Sequence, residues 1–311
     1  MKVITAGEML VEVMRKDVDI PLDRPDEFVG PFPSGAPAIF IDAVARLGVS
    51  AGIIGGVGDD EFGECLQKRL KDDSVDLSGV KVDEDLSTGV AFVSYFSDGS
   101  RKFLYHMGNS AAGAVDESDV KGSFIGSADV LHINGSSLAM GEKMRRTCYR
   151  AVKLAKREGL AISFDPNLRT ELLGVEKTRD ICSPLLDSCD ILIPGADELK
   201  GITGIEDEER AVREMLERGM ELVAVKDGAD GSRFYKGDET FEGEPFDVEE
   251  IDPTGAGDAF SGATVVGWLE EMELDKLATF ANAVGAAAVT EKGPMEGLPE
   301  RAEVERMVES H

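Results

Sequence analysis

The chain predicts an α/β fold, with a mostly parallel sheet covered by helices on both faces. Three observations carry this. Short β-branched runs alternate with helical stretches along most of the sequence. One hairpin signal breaks the alternation in the first third. A glycine-rich string later joins an extended stretch to the start of a helix.

Taken in order, Lys2–Ala6 reads as the first strand. Glu8 and Glu12 interrupt the apolar run behind it, so the N-terminus does not have the form of a signal peptide. Val11–Gly30 is an irregular extended stretch, followed by a helix over Ala38–Leu47, a strand over Ala51–Gly55 and a helix over Phe62–Asp72. Thr88–Phe96 and Arg101–Tyr105 then read as two strands joined by Ser97-Asp98-Gly99-Ser100, where Asp-Gly between alternating runs signals a hairpin. Alternation resumes with strands Val130–Ile133, Ala161–Phe164, Ile191–Ile193 and Leu222–Val225, and with helices Met140–Glu158 and Glu206–Arg218. A β-like stretch from Pro245 to Ile251 precedes the last two helices, Ala259–Met272 and Leu274–Val289. In the first of these, Phe260, Ala263, Thr264, Gly267 and Trp268 share one face, a stripe that reads as core.

The length of 311 residues suits one large α/β domain, and no repeat, low-complexity tract or Ser/Pro-rich linker divides it. An apolar fraction of 42% is enough for a full core. No apolar run approaches the roughly 18–20 residues of a membrane span, so a cytoplasmic protein is expected. Cys65, Cys148, Cys182 and Cys189 lack metal-ligand spacing and are expected to be buried free thiols. With 61 acidic against 33 basic residues the formal charge is −28, which disfavours nucleic acid and anionic membranes as partners. Such a surface also suits a salt-rich cytoplasm.

The most informative segment is Asp252-Pro253-Thr254-Gly255-Ala256-Gly257-Asp258-Ala259-Phe260. It places Gly255, Ala256 and Gly257 where the first-turn amides of a helix are bare, and those donors with the helix dipole make an anion site. A bound phosphate would repel the adjacent Asp258 unless that carboxylate had a task, such as taking a proton from a nucleophile. The blander alternative is a glycine loop with a capping Asp. Asp252 either shapes the loop, caps the helix entry or borders a monovalent-cation site.

The nine-residue string resembles the signature of ribokinase-like (PfkB-type) carbohydrate kinases. Gly7-Glu8-Met9-Leu10-Val11-Glu12, Val57-Gly58-Asp59-Asp60-Glu61-Phe62-Gly63 and Phe164-Asp165-Pro166-Asn167-Leu168-Arg169 match the same family in order, leaving only a tail after about Pro299 outside the likeness. The resemblance implies a three-layer α/β/α sandwich forming one domain over 1–311, with a small β lid built from segments near 10–34 and 86–112. It implies transfer of the γ-phosphoryl group of ATP to a sugar hydroxyl, Mg²⁺ as the metal, K⁺ as a candidate activator and a homodimer through lid strands. Asp258 would be the base and Gly255, Ala256 and Gly257 the anion hole. Lys226, Gly228 and Gly231, in Lys226-Asp227-Gly228-Ala229-Asp230-Gly231, would border the nucleotide. Asn282 either lines the adenine pocket or packs its helix. Glu198 would approach magnesium through water, although Gly195 stands where relatives carry Asn.

For the sugar, the resemblance implies Glu12, Gly35, Tyr105, Asn167 and Arg169; Arg169 could instead pair structurally or contact a phosphate. Ile39 replaces an Asn that binds hydroxyls in relatives. Met107 replaces an Arg that pairs with the carboxylate of 2-keto-3-deoxygluconate, a loss of roughly 2–5 kcal/mol for that acid unless Arg101 or Arg169 substitutes. Gly30 to Phe40 further resembles kinases of tagatose, psicose and similar ketohexoses. A neutral ketohexose of tagatose, psicose or fructose type is therefore expected, then 2-keto-3-deoxygluconate, then ribose or a nucleoside. A non-catalytic sugar or nucleotide sensor is the reading from a different class.

Overall fold

The protein is described by a computed structural model covering residues 1–168 and 174–311. Its strands are β1 (Lys2–Ala6), β2 (Leu10–Arg15), β3 (Phe28–Ser34), β4 (Ser50–Gly58), β5 (Asp76–Asp83), β6 (Gly89–Tyr95), β7 (Arg101–His106), β8 (Val130–Asn134), β9 (Ala161–Asp165), β10 (Ile191–Leu192), β11 (Leu222–Lys226), β12 (Ser232–Lys236) and β13 (Glu239–Gly243). The helices are α1 (Ala36–Arg46), α2 (Glu61–Asp72), α3 (Ala111–Ala114), α4 (Gly122–Ile125), α5 (Gly135–Ala139), α6 (Glu142–Glu158), α7 (Val175–Leu186), α8 (Ala196–Thr203), α9 (Glu208–Glu217), α10 (Ala256–Leu269), α11 (Leu274–Ala288) and α12 (Arg301–Ser310).

A nine-stranded sheet runs in the order β13-β12-β11-β10-β9-β8-β1-β4-β5. Its pairs from β11 to β5 are parallel, and β12 and β13 close one edge antiparallel. Central strands are buried on both faces, which is why β1, β8 and β11 are mostly apolar rather than alternating, with Thr5, His132 and Asn134 buried among them. One apolar cluster joins the sheet to α1, α2, α10, α11 and α12. Another joins the opposite face to α4 and α6 through α9. The architecture is the expected three layers.

The predicted hairpin is present as β6–β7, with Tyr95 opposite Arg101. The irregular stretch resolves into β2 and β3, which pair with it in a separate four-stranded sheet of order β3-β2-β6-β7. This small sheet stands over the C-terminal end of the large one and forms a wall of the cavity described below.

Several expectations are corrected. Pro245 to Ile251 is not a strand: β13 ends at Gly243, and Pro245 has no N–H to continue the ladder. The helix expected over Met140–Glu158 begins at Glu142, because Gly141 at φ 142° separates it from α5. Helix α10 is buried nearly all round rather than along one stripe. Cys65 is only half-buried, whereas the other three thiols are buried, and all four are free. Among the described residues no helix is long and apolar enough to cross a membrane.

Asp60 ties the start of α2 to the entry of the lid. It accepts from Gly63 N at 2.9 Å and from Thr88 N and Oγ1 at 2.7 Å each. Burial pushes its pKa up, but these donors outweigh burial and hold the carboxyl below its usual value. Its contribution is therefore complete above the unfolded pKa of about 3.9 and fades as pH falls through the lower folded value. Asp60→Ala should cost about 1–2 kcal/mol in urea unfolding at neutral pH. The gap to wild type should narrow in acid.

Candidate active site

Helix α10 is preceded at its N-cap by Gly255, whose φ of 87° lies in the left-handed region. A Cβ there would meet Pro294 O at 2.4 Å, so only glycine can make this turn. No side chain caps the first turn, which leaves its leading amides for an external acceptor. The loop before it is held by Asp252, 1% exposed. Asp252 Oδ1 accepts from Thr254 N at 3.0 Å and from the Tyr95 hydroxyl at 2.9 Å, and Oδ2 accepts from Gly293 N at 3.0 Å. Asp252 thus shapes the loop. It does not cap the helix, since the cap position belongs to Gly255.

Asp258, in the first turn of α10, is buried. Its Oδ1 accepts from Asn134 Nδ2 at 3.2 Å and Asn167 Nδ2 at 3.1 Å, two amides at the ends of adjacent parallel strands. Asn167 itself sits at φ 36°, a conformation Asn tolerates better than most side chains. Its N–H donates to Asp165 Oδ1 at 3.0 Å. These contacts orient the proposed base towards a cavity of about 390 Å³.

Glu12, Gly35, Tyr105 and Asn167 line that cavity together with Gly255, Gly257 and Asp258. Gly35, at φ 106°, passes so close to Glu8 O that a Cβ would come within 2.7 Å. Glu12 Oε1 accepts from Ser34 Oγ at 2.6 Å. Tyr105 stacks on Phe103 at 5.4 Å between ring centroids, giving an aromatic wall from the lid. Ile39 and Met107 line the cavity too. Arg169 lies outside the described residues.

A second cavity, of about 610 Å³, holds Lys226, Gly228, Gly231 and Asn282 along with Ala256 and Gly257. Asn282 combines a place on a cavity wall with hydrogen bonds that tie its helix to β12 and the segment after β13. It lines this cavity, accepts from Ser232 Oγ at 2.8 Å and donates to Glu244 O at 2.9 Å. Phe260, expected as core alone, and Pro245–Val248, expected as a strand, form further wall. Lys226 Nζ pairs with buried Asp165 Oδ2 at 2.6 Å and lies 3.6 Å from where a Cβ on Gly257 would stand. Desolvation opposes its charge, yet Asp165 and Glu198 outweigh that and raise its pKa, so it stays cationic. Pro253 and Gly257 belong to both cavities. The bare amides therefore stand at their junction.

Glu198 lines neither cavity. Its Oε1 accepts from Leu168 N at 2.8 Å and its Oε2 from Gly195 N at 2.7 Å, capping α8.

Sequence reasoning missed Asn134 and the unit formed by Glu8, Ser136 and Ser137. Glu8 accepts from Ser136 Oγ at 2.7 Å and Ser137 Oγ at 2.5 Å, and both Glu8 and Ser136 line the first cavity. The available signal was the polar run Asn134-Gly135-Ser136-Ser137 directly after a buried strand.

Comparisons with known proteins agree with this geometry. The chain is 35% identical to fructokinase-1 of rice (Oryza sativa subsp. japonica) over 317 residues, covering 99% of this chain and 98% of that relative. It is likewise 35% identical to fructokinase-1 of maize (Zea mays), over 99% of this chain and 97% of that one. Among solved structures, an E. coli protein provisionally described as ribokinase II, crystallised with ATP and Mg²⁺, superposes with a TM-score of 0.95 at 41% identity, over 100% of this chain and 99% of that one. A 2-dehydro-3-deoxygluconokinase of Thermotoga maritima shares the fold with a TM-score of 0.90 at 21% identity. The pattern described as pfkB family carbohydrate kinase matches residues 2–301, and the chain belongs to that family.

Proposed function

We propose that the protein is an ATP-dependent kinase of a neutral ketohexose of fructose, tagatose or psicose type. The observation that carries this reading is the junction of two cavities at the Gly255–Gly257 amides, with Asp258 on the acceptor side. ATP would lie in the Lys226–Asn282 cavity with its terminal phosphate at the amides, and the sugar in the other. Asp258 takes the proton of the sugar hydroxyl while the oxygen forms its bond to the γ-phosphorus. The bond from phosphorus to the bridging oxygen breaks, and ADP leaves with that electron pair. The lid excludes water, which would otherwise accept the phosphoryl group.

The choice of sugar rests on Met107, Glu12 and the fructokinase relatives. Met107 is 5% exposed on the acceptor wall, where it cannot pair with a substrate carboxylate. Glu12 can accept two hydroxyl donors of a polyol. Magnesium, when bound, shields the phosphates and offsets developing charge. The described residues hold no cluster of three or more His, Cys, Asp or Glu able to ligate a metal, which suits an ion held by phosphate oxygens and water. Glu198, with both oxygens already accepting backbone amides, would touch that ion only through water. Potassium beside Asp252 would share a carboxylate that three donors already occupy.

The outer face of the lid carries Phe28, 41% exposed, and Leu104, 49% exposed, around an edge-on Phe28–Phe92 contact at 5.7 Å. A second copy of the chain covering this face would give the expected homodimer, in a cytoplasmic enzyme whose partners are otherwise ATP and the sugar.

Three outcomes test the proposal. Asp258→Asn should lower kcat in an ADP-release assay by about 100- to 10,000-fold while ATP still binds; activity equal to wild type would remove Asp258 as base. Across fructose, tagatose, psicose, ribose, adenosine and 2-keto-3-deoxygluconate, kcat/KM should be highest for a ketohexose. A sugar that binds without releasing ADP would favour the sensor. Light scattering should give twice the chain mass, and Leu104→Glu should reduce it to the monomer's.

A further inference from the structure

Strand β8 ends at Asn134, and His132 stands two residues earlier on the same face, the one that carries α1 and α10. His132 is fully buried, with its ring stacked on Phe40 of α1 at 3.7 Å between centroids. Its Nδ1 lies 3.0 Å from Ser163 Oγ on β9. Asn134 is equally buried and donates from Nδ2 to Asp258 Oδ1 at 3.2 Å. The remaining polar atom of each side chain, His132 Nε2 and Asn134 Oδ1, is buried with no hydrogen-bond partner among the described residues. Such atoms are costly to leave unmatched, so the ring tautomer and the amide orientation are set together.

The order of donors runs outward from Asp258. An ionised carboxylate only accepts, so Asn134 must turn its amide nitrogen towards it. Asn134 Oδ1 then needs a donor, which His132 supplies when Nε2 carries the ring proton. Nδ1 is left to accept from Ser163 Oγ. Burial, with the Lys226 ammonium, holds the His132 pKa well below its usual value and keeps the ring neutral. The Asn134 side chain pushes the other way, as an acceptor facing a ring nitrogen does.

We propose that His132 is a positioning residue for the base: as the neutral Nε2–H tautomer it holds the Asn134 amide so that Nδ2 faces Asp258. This role rests on the reading of Asp258 as base. In the chain Ser163–His132–Asn134–Asp258 every donor then meets an acceptor, from β9 through β8 to α10. With the other tautomer, the ring nitrogen and the amide oxygen would both be acceptors. The amide would turn to escape that contact, and Asp258 would lose one of the two amides held on its Oδ1.

Two measurements on the full chain test this. Nitrogen NMR of protein carrying isotope-labelled histidine reads which ring nitrogen holds the proton, and His132 is assigned among the three histidines by its absence from His132→Gln. A proton on Nε2 is expected; one on Nδ1, or an imidazolium at neutral pH, overturns the inference. The second measurement is a double-mutant cycle in steady-state ADP release. His132→Leu should lower kcat about tenfold and leave both KM values within about threefold. His132→Gln, whose amide donates from nearly the same place, should recover most of that loss. In the Asn134→Ala background His132→Leu should cost less than about twofold, because the group it orients is gone. Equal losses with and without Asn134 would make His132 a packing residue and overturn the inference, as would a rise in KM without a fall in kcat. Thermal unfolding accompanies each variant, and if His132→Leu does not fold the tautomer decides alone. If wild type releases no ADP with any sugar, or Asp258→Asn matches wild type, the base reading fails and this inference falls with it.

Discussion

The buried carboxylate of Asp252 is the interaction on which the site depends. Burying an ionised carboxyl is costly unless donors replace its water. Here three do so, and they come from separate parts of the chain: Tyr95 in the lid, Thr254 in the loop itself and Gly293 beyond α11. The bonds fix where the loop enters α10. Gly255 must then turn left-handed beneath Pro294, and the first amides emerge uncapped. Asp258 stands in the same helical turn, so the uncapped amides and this carboxylate are placed by one event. A shift in Asp252 would displace both together.

The field of the molecule opposes its substrate, because a formal charge of −28 repels a nucleotide at long range. Screening limits that repulsion to about 8–10 Å at ordinary ionic strength, so binding is decided by what lies inside that distance. Lys226 is paired with Asp165, and the pair is close to neutral as a unit. Its use is positional, since it keeps an ammonium beside Gly257 that would otherwise swing into solvent. On the reading proposed above, net attraction then falls to the uncapped amides and the dipole of α10. An acidic enzyme can hold ATP this way because its positive groups are few and close.

Much of the fold was legible because central parallel strands are apolar on both faces. β1 was expected at its observed bounds, and β8, β9 and β11 to within a residue. The edges were not legible. β5 mixes Asp76, Ser78, Lys81 and Asp83 with Leu77, Val80 and Val82 because as an edge strand it has no fully buried residue, and β12 and β13 carry charge on an open face. The same logic divides the site. Gly255 to Asp258 is contiguous, and its chemistry shows as a string. Asn134 reaches Asp258 across 124 positions, and Tyr95 reaches Asp252 across 157, so no local pattern announces either. Asp252 had three readings in sequence, and only the distant donors separate loop shaping from capping.

The two halves of the reaction are built from different materials, and this explains where the chain departs from its family. On the reading proposed above, phosphoryl chemistry is tied to backbone: a left-handed glycine and an N-terminal helical turn that also carries the Asp258 carboxylate. Few substitutions at Gly255 preserve that geometry, because a Cβ there would meet Pro294 O at 2.4 Å. Acceptor recognition is tied to side chains: Ile39, Met107, Phe103 and Tyr105 line the cavity where, on the reading proposed above, the sugar binds. Exchanging such a side chain alters which hydroxyls and charges are satisfied without moving the cradle. Ile39 shows the separation within a single residue. It packs 3.2 Å from where a Cβ of Gly255 would stand, supporting the loop, while it also presents a side chain without hydrogen-bonding groups to the first cavity.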